Sequence, residues 1–263
     1  MNWFQSLVLG LIQGLTEFLP VSSSGHLELG KFLFGINPEA NFYFSVAVHG
    51  ATVLSTIVVL WQEISLLIKG AFKFKWNEET QYIFKIIVSM IPVGIAGLFL
   101  KEIIEDYFTG NMVALGIQFL ISALFLFMAM IIKPKERPIT YFDAFIIGLA
   151  QAFAILPAVS RSGATIATGM MIGNKKSEIA KFSFLMVLVP IIGANLVELK
   201  AGGFSLEGTS FIIIFIGFIT AFISGYFACK LMINLVKKGR LTWFAVYCVA
   251  VGVFSILLGF NVI

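Results

Sequence analysis

The sequence predicts an all-α integral membrane protein built as an inverted-topology repeat, with one re-entrant helical hairpin and three transmembrane helices in each half. Three observations lead to this fold class. Hydrophobic residues make up 59% of the chain and charged residues only 12%, against roughly 25% charged residues in a soluble domain. Long apolar stretches recur along the whole chain. One sequence pattern also occurs twice, once in each half of the chain.

The composition excludes several other classes of protein. A net charge of +4 requires no nucleic-acid partner, because basic loops on one side of a membrane produce it. The two cysteines, Cys229 and Cys248, lie inside apolar segments without metal-ligand spacing, and we interpret them as small core residues rather than a disulfide. The N-terminal segment has no basic region and no small-residue cleavage site, so we expect no removed signal peptide.

The repeated pattern occupies residues 10–25 and 148–163. Each copy is an apolar helical run, then a proline, then a serine-rich turn that ends in glycine. Aligned without a gap, the copies share Gly10/Gly148, Leu11/Leu149, Gln13/Gln151, Val21/Val159, Ser22/Ser160, Ser24/Ser162 and Gly25/Gly163, with Pro20 and Pro157 displaced by one position. We therefore predict a single membrane domain, 1–263, with repeat one at about 1–135 and repeat two at about 139–263.

Apolar stretches of about 18 to 25 residues are long enough to cross the hydrocarbon core of a bilayer. Such stretches lie near 42–61, 83–100, 111–132, 182–199, 211–235 and 241–262. Two others, about 3–35 and 141–173, are each broken by the proline and the Ser-Gly turn. We expect each of these to enter the membrane and leave on the same side, because a broken helix is tolerated only where its turn is buried in protein or lines a wet cavity.

Charge gives the predicted orientation. The predicted cytoplasmic loops 62–85, 133–140, 173–181 and 236–240 hold Lys69, Lys73, Lys75, Lys85, Lys133, Lys135, Arg137, Lys175, Lys176, Lys181, Lys237, Lys238 and Arg240. The other side keeps Lys31, Lys101 and Lys200 with most loop acids, such as Glu39, Glu102, Glu105, Asp106 and Glu207. This positive-inside bias places both termini outside and makes the first hairpin enter from outside and the second from inside. The broken helices then meet near the midplane.

The remaining polar stretch, about 69–82, is predicted to be a cytoplasmic connection with interfacial Phe72, Phe74 and Trp76.

The first turn combines an acid with a cluster of hydrogen-bonding groups. Gln13 and Glu17 are four residues apart and share a helix face. A carboxylate at membrane depth costs several kcal/mol unless it is paired or wet, and the alternative is an interfacial acid at a helix end. The residues that follow are Ser22, Ser23, Ser24, Gly25 and His26. Backbone N–H groups and hydroxyls at the start of a helix favour an anion.

The second turn repeats this cluster of hydroxyls and backbone N–H groups and adds the guanidinium of an arginine. Its sequence is Ser160-Arg161-Ser162-Gly163-Ala164-Thr165. The planar fork of arginine matches phosphate oxygens. Two half-helix N-termini and Arg161 therefore predict a site for a multiply charged group such as a diphosphate. Packing alone explains Arg161 poorly, since an isolated arginine in an apolar repeat needs an anion.

His26 is the histidine beside these groups, and it suits a general base, a general acid or a nucleophile. Glu17 is positioned in sequence to set its tautomer. A serine hydroxyl activated by the imidazole is the other candidate nucleophile, although any single serine here has the alternative of capping a helix. We interpret His49 as a packing or hydrogen-bonding histidine.

The segments Gln13-x-x-x-Glu17, Leu19 to His26 and Ser160 to Thr165 resemble the signature regions of bacterial undecaprenyl-diphosphate phosphatases, the bacitracin-resistance type. The similarity in length and segment order covers essentially the whole chain. The resemblance implies hydrolysis of the terminal phosphate of undecaprenyl diphosphate, which recycles the lipid carrier of peptidoglycan synthesis at the outer face of the plasma membrane. Cell-wall biogenesis, cell shape and bacitracin resistance would depend on that activity.

The resemblance also implies residue roles. Glu17, Ser23, His26 and Arg161 would be catalytic, with Ser23 at the position favoured as nucleophile and His26 at the position assigned to proton transfer. The nucleophile has also been assigned to the histidine, so Ser23, His26 and water stay open. Substrate binding would fall to Gln13, Ser22, Ser24, Gly25, Ser160, Ser162, Gly163 and Thr165.

Two features of the family pattern concern this chain's turn geometry and ions. Ala158 stands where the family usually has glycine, which alters the second turn. A divalent cation, Mg²⁺ or Ca²⁺, assists some members, and Glu17 could meet one, yet no metal-ligand cluster can be read from the sequence. The implied partners are the lipid substrate and bilayer lipids, and a homodimer is compatible with them.

Two other classes of function remain open at this stage. A transporter or flippase of polyprenyl phosphate shares the inverted repeat with broken helices. A purely structural membrane protein would have to bury Glu17, His26 and Arg161 without use. The set of Glu17, the serines and His26 favours the enzyme, because a transporter needs no nucleophile beside a titratable base.

Overall fold

The computed structural model describes residues 1–36, 42–100, 110–132, 135–202 and 210–262, with the backbone alone for Phe42 and 198–202. These ranges form α-helices and connecting turns, with one isolated bridge between Arg137 and Asn174. The helices are α1 Trp3–Phe18, α2 Ser23–Leu33, α3 Phe42–Val59, α4 Trp61–Ala71, α5 Glu78–Phe99, α6 Met112–Ile131, α7 Tyr141–Phe153, α8 Arg161–Met171, α9 Lys176–Gly202, α10 Phe211–Lys237 and α11 Thr242–Gly259.

In the described part of the chain, 5 helices are long and apolar enough to cross a membrane, namely α5, α6, α9, α10 and α11. The number is 6 if the bent pair α3 and α4 counts as one span. The helices coincide with the predicted stretches near 83–100, 111–132, 182–199, 211–235 and 241–262. The all-helical membrane fold class is therefore confirmed. The predicted loop charges Glu39, Lys101, Glu102, Glu105, Asp106, Lys133 and Glu207 lie outside the described residues.

The prediction for residues 42–61 and for the loop 62–85 was partly wrong. Helix α3 ends at Val59, and the chain bends by 75° into α4. A second helix forms because Ile64 and Leu67 pack against the core while Glu63 pairs with Lys181 of α9. The polar connection is thus only residues 72–77, between α4 and α5, and its predicted interfacial side chains are strongly exposed, namely Phe72, Phe74 and Trp76.

Both broken stretches are confirmed as pairs of short helices. Helix α1 has 16 residues, α2 has 11, α7 has 13 and α8 has 11. At about 1.5 Å per residue none of them reaches the roughly 30 Å of a hydrocarbon core. Helix α1 starts with a capping box between Asn2 and Gln5, and α7 starts with one between Thr140 and Asp143. The breaks fall at the proline and serine-rich turns.

The hairpins are held by close helix contacts. Helix α1 packs along α10, α7 packs along α5, and α6 packs along α11. A Cβ added at Gly10 would lie 2.5 Å from the Gly217 carbonyl oxygen, and one at Gly116 would lie 2.5 Å from the Gly252 carbonyl oxygen. Small residues let helix backbones approach in this way inside a membrane. Helix α1 therefore lies directly against α10, and α7 lies against α5.

An ionic cluster fixes the start of α7. The buried Asp143 carboxylate accepts from two Arg137 nitrogens at 2.5 and 2.7 Å, from the Thr140 backbone N–H at 2.8 Å and from Asn174 Nδ2 at 3.1 Å. The hydrogen bonds and charge of Asp143 raise the pKa of Arg137. Arg137 also donates to the Ile172 carbonyl at 3.1 Å. This cluster ties the start of α7 to the turn after α8.

Candidate active site

In each broken stretch, the helix that follows the break has a serine as its N-cap. The Ser22 hydroxyl accepts the Gly25 N–H at 3.2 Å, and the Ser160 hydroxyl accepts the Gly163 N–H at 3.0 Å. Capping satisfies backbone donors that a helix start leaves open. The hydroxyls of Ser22 and Ser160, predicted for substrate binding, are thus engaged by their own helices, while both helix starts point their positive ends into one cavity.

The two turns bind each other directly. The Ser24 hydroxyl donates to the Pro157 carbonyl. In the opposite direction, the Ser162 hydroxyl donates to the Leu19 carbonyl at 3.4 Å. Ser24 and Ser162 occupy matching places in the repeated pattern, so each reaches the proline segment of the other copy. These bonds hold α2 and α8 with their starts together.

Helix α6 supports the second turn from behind. Gln118 Oε1 accepts the Ala158 N–H at 2.7 Å, and the Ser122 hydroxyl accepts the Ser160 N–H at 2.9 Å. Both side chains are buried, and unpaired backbone N–H groups at that depth would be costly. Gln118 and Ser122 were missed by the sequence reasoning, because polar residues on a membrane helix do not by themselves indicate what they contact.

The glycines of the turns serve close packing. A Cβ at Gly25 would lie 2.8 Å from Phe119 Cζ and 2.9 Å from the Ala158 Cβ. A Cβ at Gly163 would lie 3.0 Å from the Ser160 side chain. Gly25 and Gly163 were predicted as binding residues, and the structure gives them this packing role. The Ala158 methyl group fills space that a glycine would leave open.

Glu17 is the centre of the charged cluster. Its Oε2 accepts from Gln13 Nε2 at 2.9 Å and from the Ser23 hydroxyl, and its Oε1 accepts from an Arg161 nitrogen at 3.2 Å. The Glu17 side chain is 8% exposed and that of Arg161 is 28% exposed. A buried carboxylate is tolerated when it is paired and hydrogen-bonded in this way. Glu17 lies in the last turn of α1 and is held there by protein groups rather than by solvent.

A small cavity opens onto this cluster. Its polar lining comes from Thr16, Glu17, Ser22, Ser23, Ser24, Thr52, Thr56, Ser160, Arg161 and Ser162. Its apolar lining comes from Phe18, Val53, Val159, Phe184, Val187, Leu188 and Ile191. Helices α3 and α9 supply most of the apolar wall, while the two turns supply most of the polar floor. The cavity suits a molecule with a charged end and an apolar end.

The threonines of the cavity were also missed by the sequence reasoning. The hydroxyls of Thr16, Thr52 and Thr56 donate to carbonyls one turn earlier in their own helices, at 2.7, 2.8 and 3.0 Å. Each hydroxyl oxygen can still accept a hydrogen bond. Threonine commonly makes this hydrogen bond to its own helix in membrane proteins, so the positions of these threonines in the sequence did not indicate that they line a cavity.

The His26 ring lies on the other side of the first turn. Its Nδ1 is 2.7 Å from the Ser22 carbonyl, and its Nε2 is 2.8 Å from the Tyr247 hydroxyl. A carbonyl can only accept, so Nδ1 carries the proton and Nε2 of the neutral ring accepts from Tyr247. The Ser22 carbonyl therefore sets the tautomer that was expected from Glu17. His26 does not line the cavity, and nothing in the local sequence indicated Tyr247.

Thr165 and His49 are placed in packing positions. Thr165 is 0% exposed, donates to the Arg161 carbonyl at 2.8 Å and lies 2.6 Å from the Ser183 hydroxyl of α9. It does not line the cavity, contrary to its predicted binding role. His49 Nδ1 lies 2.8 Å from the Ser45 carbonyl, as expected of a hydrogen-bonding histidine. Cys229 and Cys248 are buried free thiols.

Glu17 is the one carboxylate that lines the cavity. Among residues 1–36, 42–100, 110–132, 135–202 and 210–262, no three His, Cys, Asp or Glu side chains form a group that could hold a metal ion. Mg²⁺ is commonly bound through one or two carboxylates together with waters and substrate phosphates, so Glu17 is the residue that would hold such an ion beside a phosphate.

The family described as "Bacitracin resistance protein BacA" matches residues 6–254. The chain belongs to this family. The BacA match extends from α1 into α11 and so includes both turns, the whole cavity lining and Tyr247.

Curated relatives are similar over nearly the whole chain. A Bacteroides fragilis protein named undecaprenyl-diphosphatase is 50% identical over 264 residues, covering 98% of each chain. The protein of that name from Parabacteroides distasonis is 49% identical over 260 residues, covering 97% of this chain and 98% of its own. The one from Carboxydothermus hydrogenoformans is 39% identical over 264 residues, covering 98% of each. BacA similarity therefore extends well beyond the two turns.

Proposed function

We propose that this protein is a membrane phosphatase that hydrolyses undecaprenyl diphosphate to undecaprenyl phosphate and inorganic phosphate. The observation that carries the proposal is the hydrogen bond from the Ser23 hydroxyl to Glu17, beside Arg161 and inside a cavity with one apolar wall. A nucleophile bonded to a buried base is the pattern of covalent catalysis. Family membership and the names of the relatives support the same substrate.

Ser23 attacks the terminal phosphorus in the first step. Glu17 accepts the Ser23 proton as the new Ser–O–P bond forms, and the anhydride P–O bond to the leaving group breaks. Undecaprenyl phosphate departs, and Glu17 can return the proton to it. A water molecule then gives a proton to Glu17 and attacks the phosphorus of the phosphoserine. The Ser23 O–P bond breaks, inorganic phosphate leaves, and Glu17 returns the proton to the Ser23 oxygen. Glu17 acts as base in both halves of the reaction.

Arg161 and the two helix starts stabilise negative charge. The Arg161 side chain is part-exposed to the cavity, and its donor fork suits the non-bridging phosphate oxygens. Backbone N–H groups at the starts of α2 and α8 add positive partial charge at the same place. Gln13 donates to Glu17 at 2.9 Å and so orients the base, which makes it a positioning residue rather than a direct ligand of the substrate.

The apolar wall accounts for a lipid substrate. The apolar lining combines Val53 of α3 with four residues of α9, namely Phe184, Val187, Leu188 and Ile191. Burying methylene groups is worth about 0.8 kcal/mol each, so a prenyl chain gains affinity where it lies against this wall. The charged cluster lines the same cavity, and in this proposal it binds the head group of a prenyl diphosphate.

Phosphate release from undecaprenyl diphosphate tests the function. We expect the purified protein to release phosphate and Glu17→Ala to release it at least about 10²-fold more slowly, because general base catalysis is worth that much or more. Glu178→Ala is the matched control, since Glu178 is a partly exposed acid paired with Lys175. A folded wild-type protein that binds the lipid without cleaving it would contradict the phosphatase and favour the transporter.

The finer topology is also part of the proposal. We propose an inverted repeat with both termini outside and the cavity open to the outer face. Matched contacts support the repeat: α1 of the first half packs on α10, and α7 of the second half packs on α5. Each hairpin thus lies against a long helix of the other half. The distribution of lysine and arginine supports the same orientation.

Cysteine labelling tests this orientation. We expect Lys75→Cys to react with an impermeant maleimide only from the cytoplasmic side and Lys101→Cys only from the outside. The native Cys229 and Cys248 are buried, so the unsubstituted protein is the background control. Labelling of both positions from the same side would contradict the proposed orientation.

A further inference from the structure

We infer that Tyr247 and His26 form a hydrogen-bond relay that holds Ser22 in a left-handed backbone conformation and thereby aims Ser23 at Glu17. His26 is then a positioning residue rather than the group that moves the proton. The inference rests on the proposed phosphatase function, because its readout is the rate of phosphate release. It assigns a role to Tyr247, which lies 221 residues from His26 in the sequence.

Ser22 has an unusual backbone conformation. Its φ is +69°, a left-handed value that only glycine adopts easily. Residues other than glycine keep such a conformation only where their surroundings impose it, and such positions cluster at active sites. Ser22 immediately precedes Ser23, so its backbone angles set the direction in which the Ser23 side chain leaves the turn. Something next to Ser22 must hold this conformation.

The second copy of the repeat provides an internal comparison. Ser160 occupies the place of Ser22 and caps its helix in the same way, yet its φ is −69°. The place of His26 is taken by Ala164 in that copy. The Ser160 carbonyl accepts the Ala164 backbone N–H at 2.9 Å and has no ring beside it. The left-handed conformation thus occurs in the copy that has the histidine.

The His26 ring binds the strained residue directly. Its Nδ1–H donates to the Ser22 carbonyl at 2.7 Å, and the His26 backbone N–H donates to the same oxygen at 3.2 Å. Two donors from one residue fix the direction of the Ser22 peptide plane. Rotating Ser22 back to an ordinary conformation would break the ring contact. The ring is therefore the group that imposes the left-handed angle.

Tyr247 fixes the ring in turn. Its hydroxyl lies 2.8 Å from His26 Nε2, and its ring stacks on the imidazole with centroids 5.5 Å apart and planes 6° apart. Phe119 meets the other side edge-on at 5.0 Å. Both ring nitrogens of His26 are thereby engaged, and the imidazole cannot flip without losing a hydrogen bond. Tyr247 is the far end of the relay, on α11.

The same contacts separate His26 from proton transfer. A general base must lie within hydrogen-bond reach of the proton it takes. The Ser23 hydroxyl donates to Glu17 instead, and His26 does not line the cavity where phosphorus would sit. Glu17 therefore handles the proton, and His26 acts through the backbone of Ser22.

Three variants test the relay: His26→Ala, His26→Asn and Tyr247→Phe. The Asn side chain can place an N–H near the position of Nδ1, so His26→Asn keeps the bond to Ser22 while losing the titrating ring. We expect His26→Ala to lower kcat about 10²-fold, the cost of a misplaced reacting group, and His26→Asn to recover about tenfold of that loss. Tyr247→Phe should lower kcat about three- to tenfold, which corresponds to one hydrogen bond.

The matched control is Tyr226→Phe, because the Tyr226 hydroxyl contacts Lys230 on the exposed face of α10. We expect KM to change little in every variant, and the pH profile of His26→Asn to keep the shape of the wild-type profile. The stability of each purified variant is measured by thermal unfolding. The ratio of kcat between His26→Asn and the wild type tests the relay even where His26→Ala does not fold.

Two results would overturn the relay. A kcat of His26→Asn that is about 10²-fold or more below that of the wild type, with one limb of the pH profile lost, would make His26 the proton-transfer group. Tyr247→Phe with the kcat of the wild type would remove Tyr247 from the mechanism. A wild-type protein that releases no phosphate contradicts the proposed function itself, whereas the relay is judged from ratios among active variants.

Discussion

Ser23→Ala is expected to release phosphate at least about 10³-fold more slowly than the wild type, since removing the nucleophile of a covalent mechanism removes most of the catalysis. Ser23 is the serine whose hydroxyl donates to Glu17 at the cavity. Alanine leaves the Arg161 side chain and both helix starts in place, so binding of undecaprenyl diphosphate should persist. The measurement is steady-state kcat together with lipid affinity.

A phosphoserine intermediate gives the sharper test of Ser23. Substrate labelled in the terminal phosphate, quenched in acid within one turnover, should leave label on the wild-type protein and none on Ser23→Ala. Ser65→Ala is the control, because Ser65 lies on α4 and does not line the cavity. Activity within tenfold of the wild type in Ser23→Ala, without a labelled intermediate, would assign the attack to water or to His26.

The broken helices could be predicted because residues at the break itself determine where the helix stops. Proline disfavours a helix because it lacks the backbone N–H, although Pro92 and Pro190 lie inside α5 and α9. The breaks also carry a serine followed three residues later by glycine, and Ser22 and Ser160 cap the next helix in this way. The long spans were predicted from length and hydropathy alone. Each of these features depends on residues that are neighbours in sequence.

Helix α4 could not be predicted because it is stabilised by contacts with residues that are distant in the sequence. The charges Glu63 and Lys69 lower the hydropathy of the segment, which made it look like a loop. In the structure, Leu60 at the bend is 1% exposed, and Glu63 is neutralised by Lys181, which is 118 residues away in the sequence. A pair so distant leaves no local signal.

The candidate site was predicted as a set of residues but not as a division of roles. A serine in such a turn can cap a helix, cross-link two turns or react. The structure separates these uses: Ser22 and Ser160 cap, Ser24 and Ser162 join the turns, and Ser23 contacts Glu17. That division depends on which turn faces which, and the sequence of either turn alone does not contain it.

Arg161→Ala is expected to lower kcat/KM by about 10² to 10³, the usual effect of removing one preorganised group that stabilises transition-state charge. Arg161→Lys should recover only part of this loss, because an ammonium lacks the planar fork that binds two phosphate oxygens at once. The measurement is phosphate release across a range of lipid concentrations. Near-normal turnover in Arg161→Ala would refute the phosphate-binding role.

A structural loss must be separated from a catalytic one, because Arg161 also neutralises Glu17 at 3.2 Å. Removing the arginine leaves a carboxylate that is 8% exposed without its counter-charge, and breaking a buried pair costs about 3 to 5 kcal/mol. The double variant Glu17→Gln with Arg161→Ala replaces both charges, so its thermal stability should exceed that of Arg161→Ala alone. Its activity should stay absent, since the base and the phosphate ligand are both gone. Recovery of stability in the double variant would show that the unpaired Glu17 carboxylate destabilises Arg161→Ala, whereas equal stability of the single and double variants would mean that the ion pair contributes little to the fold, and the loss of turnover in Arg161→Ala would then be catalytic.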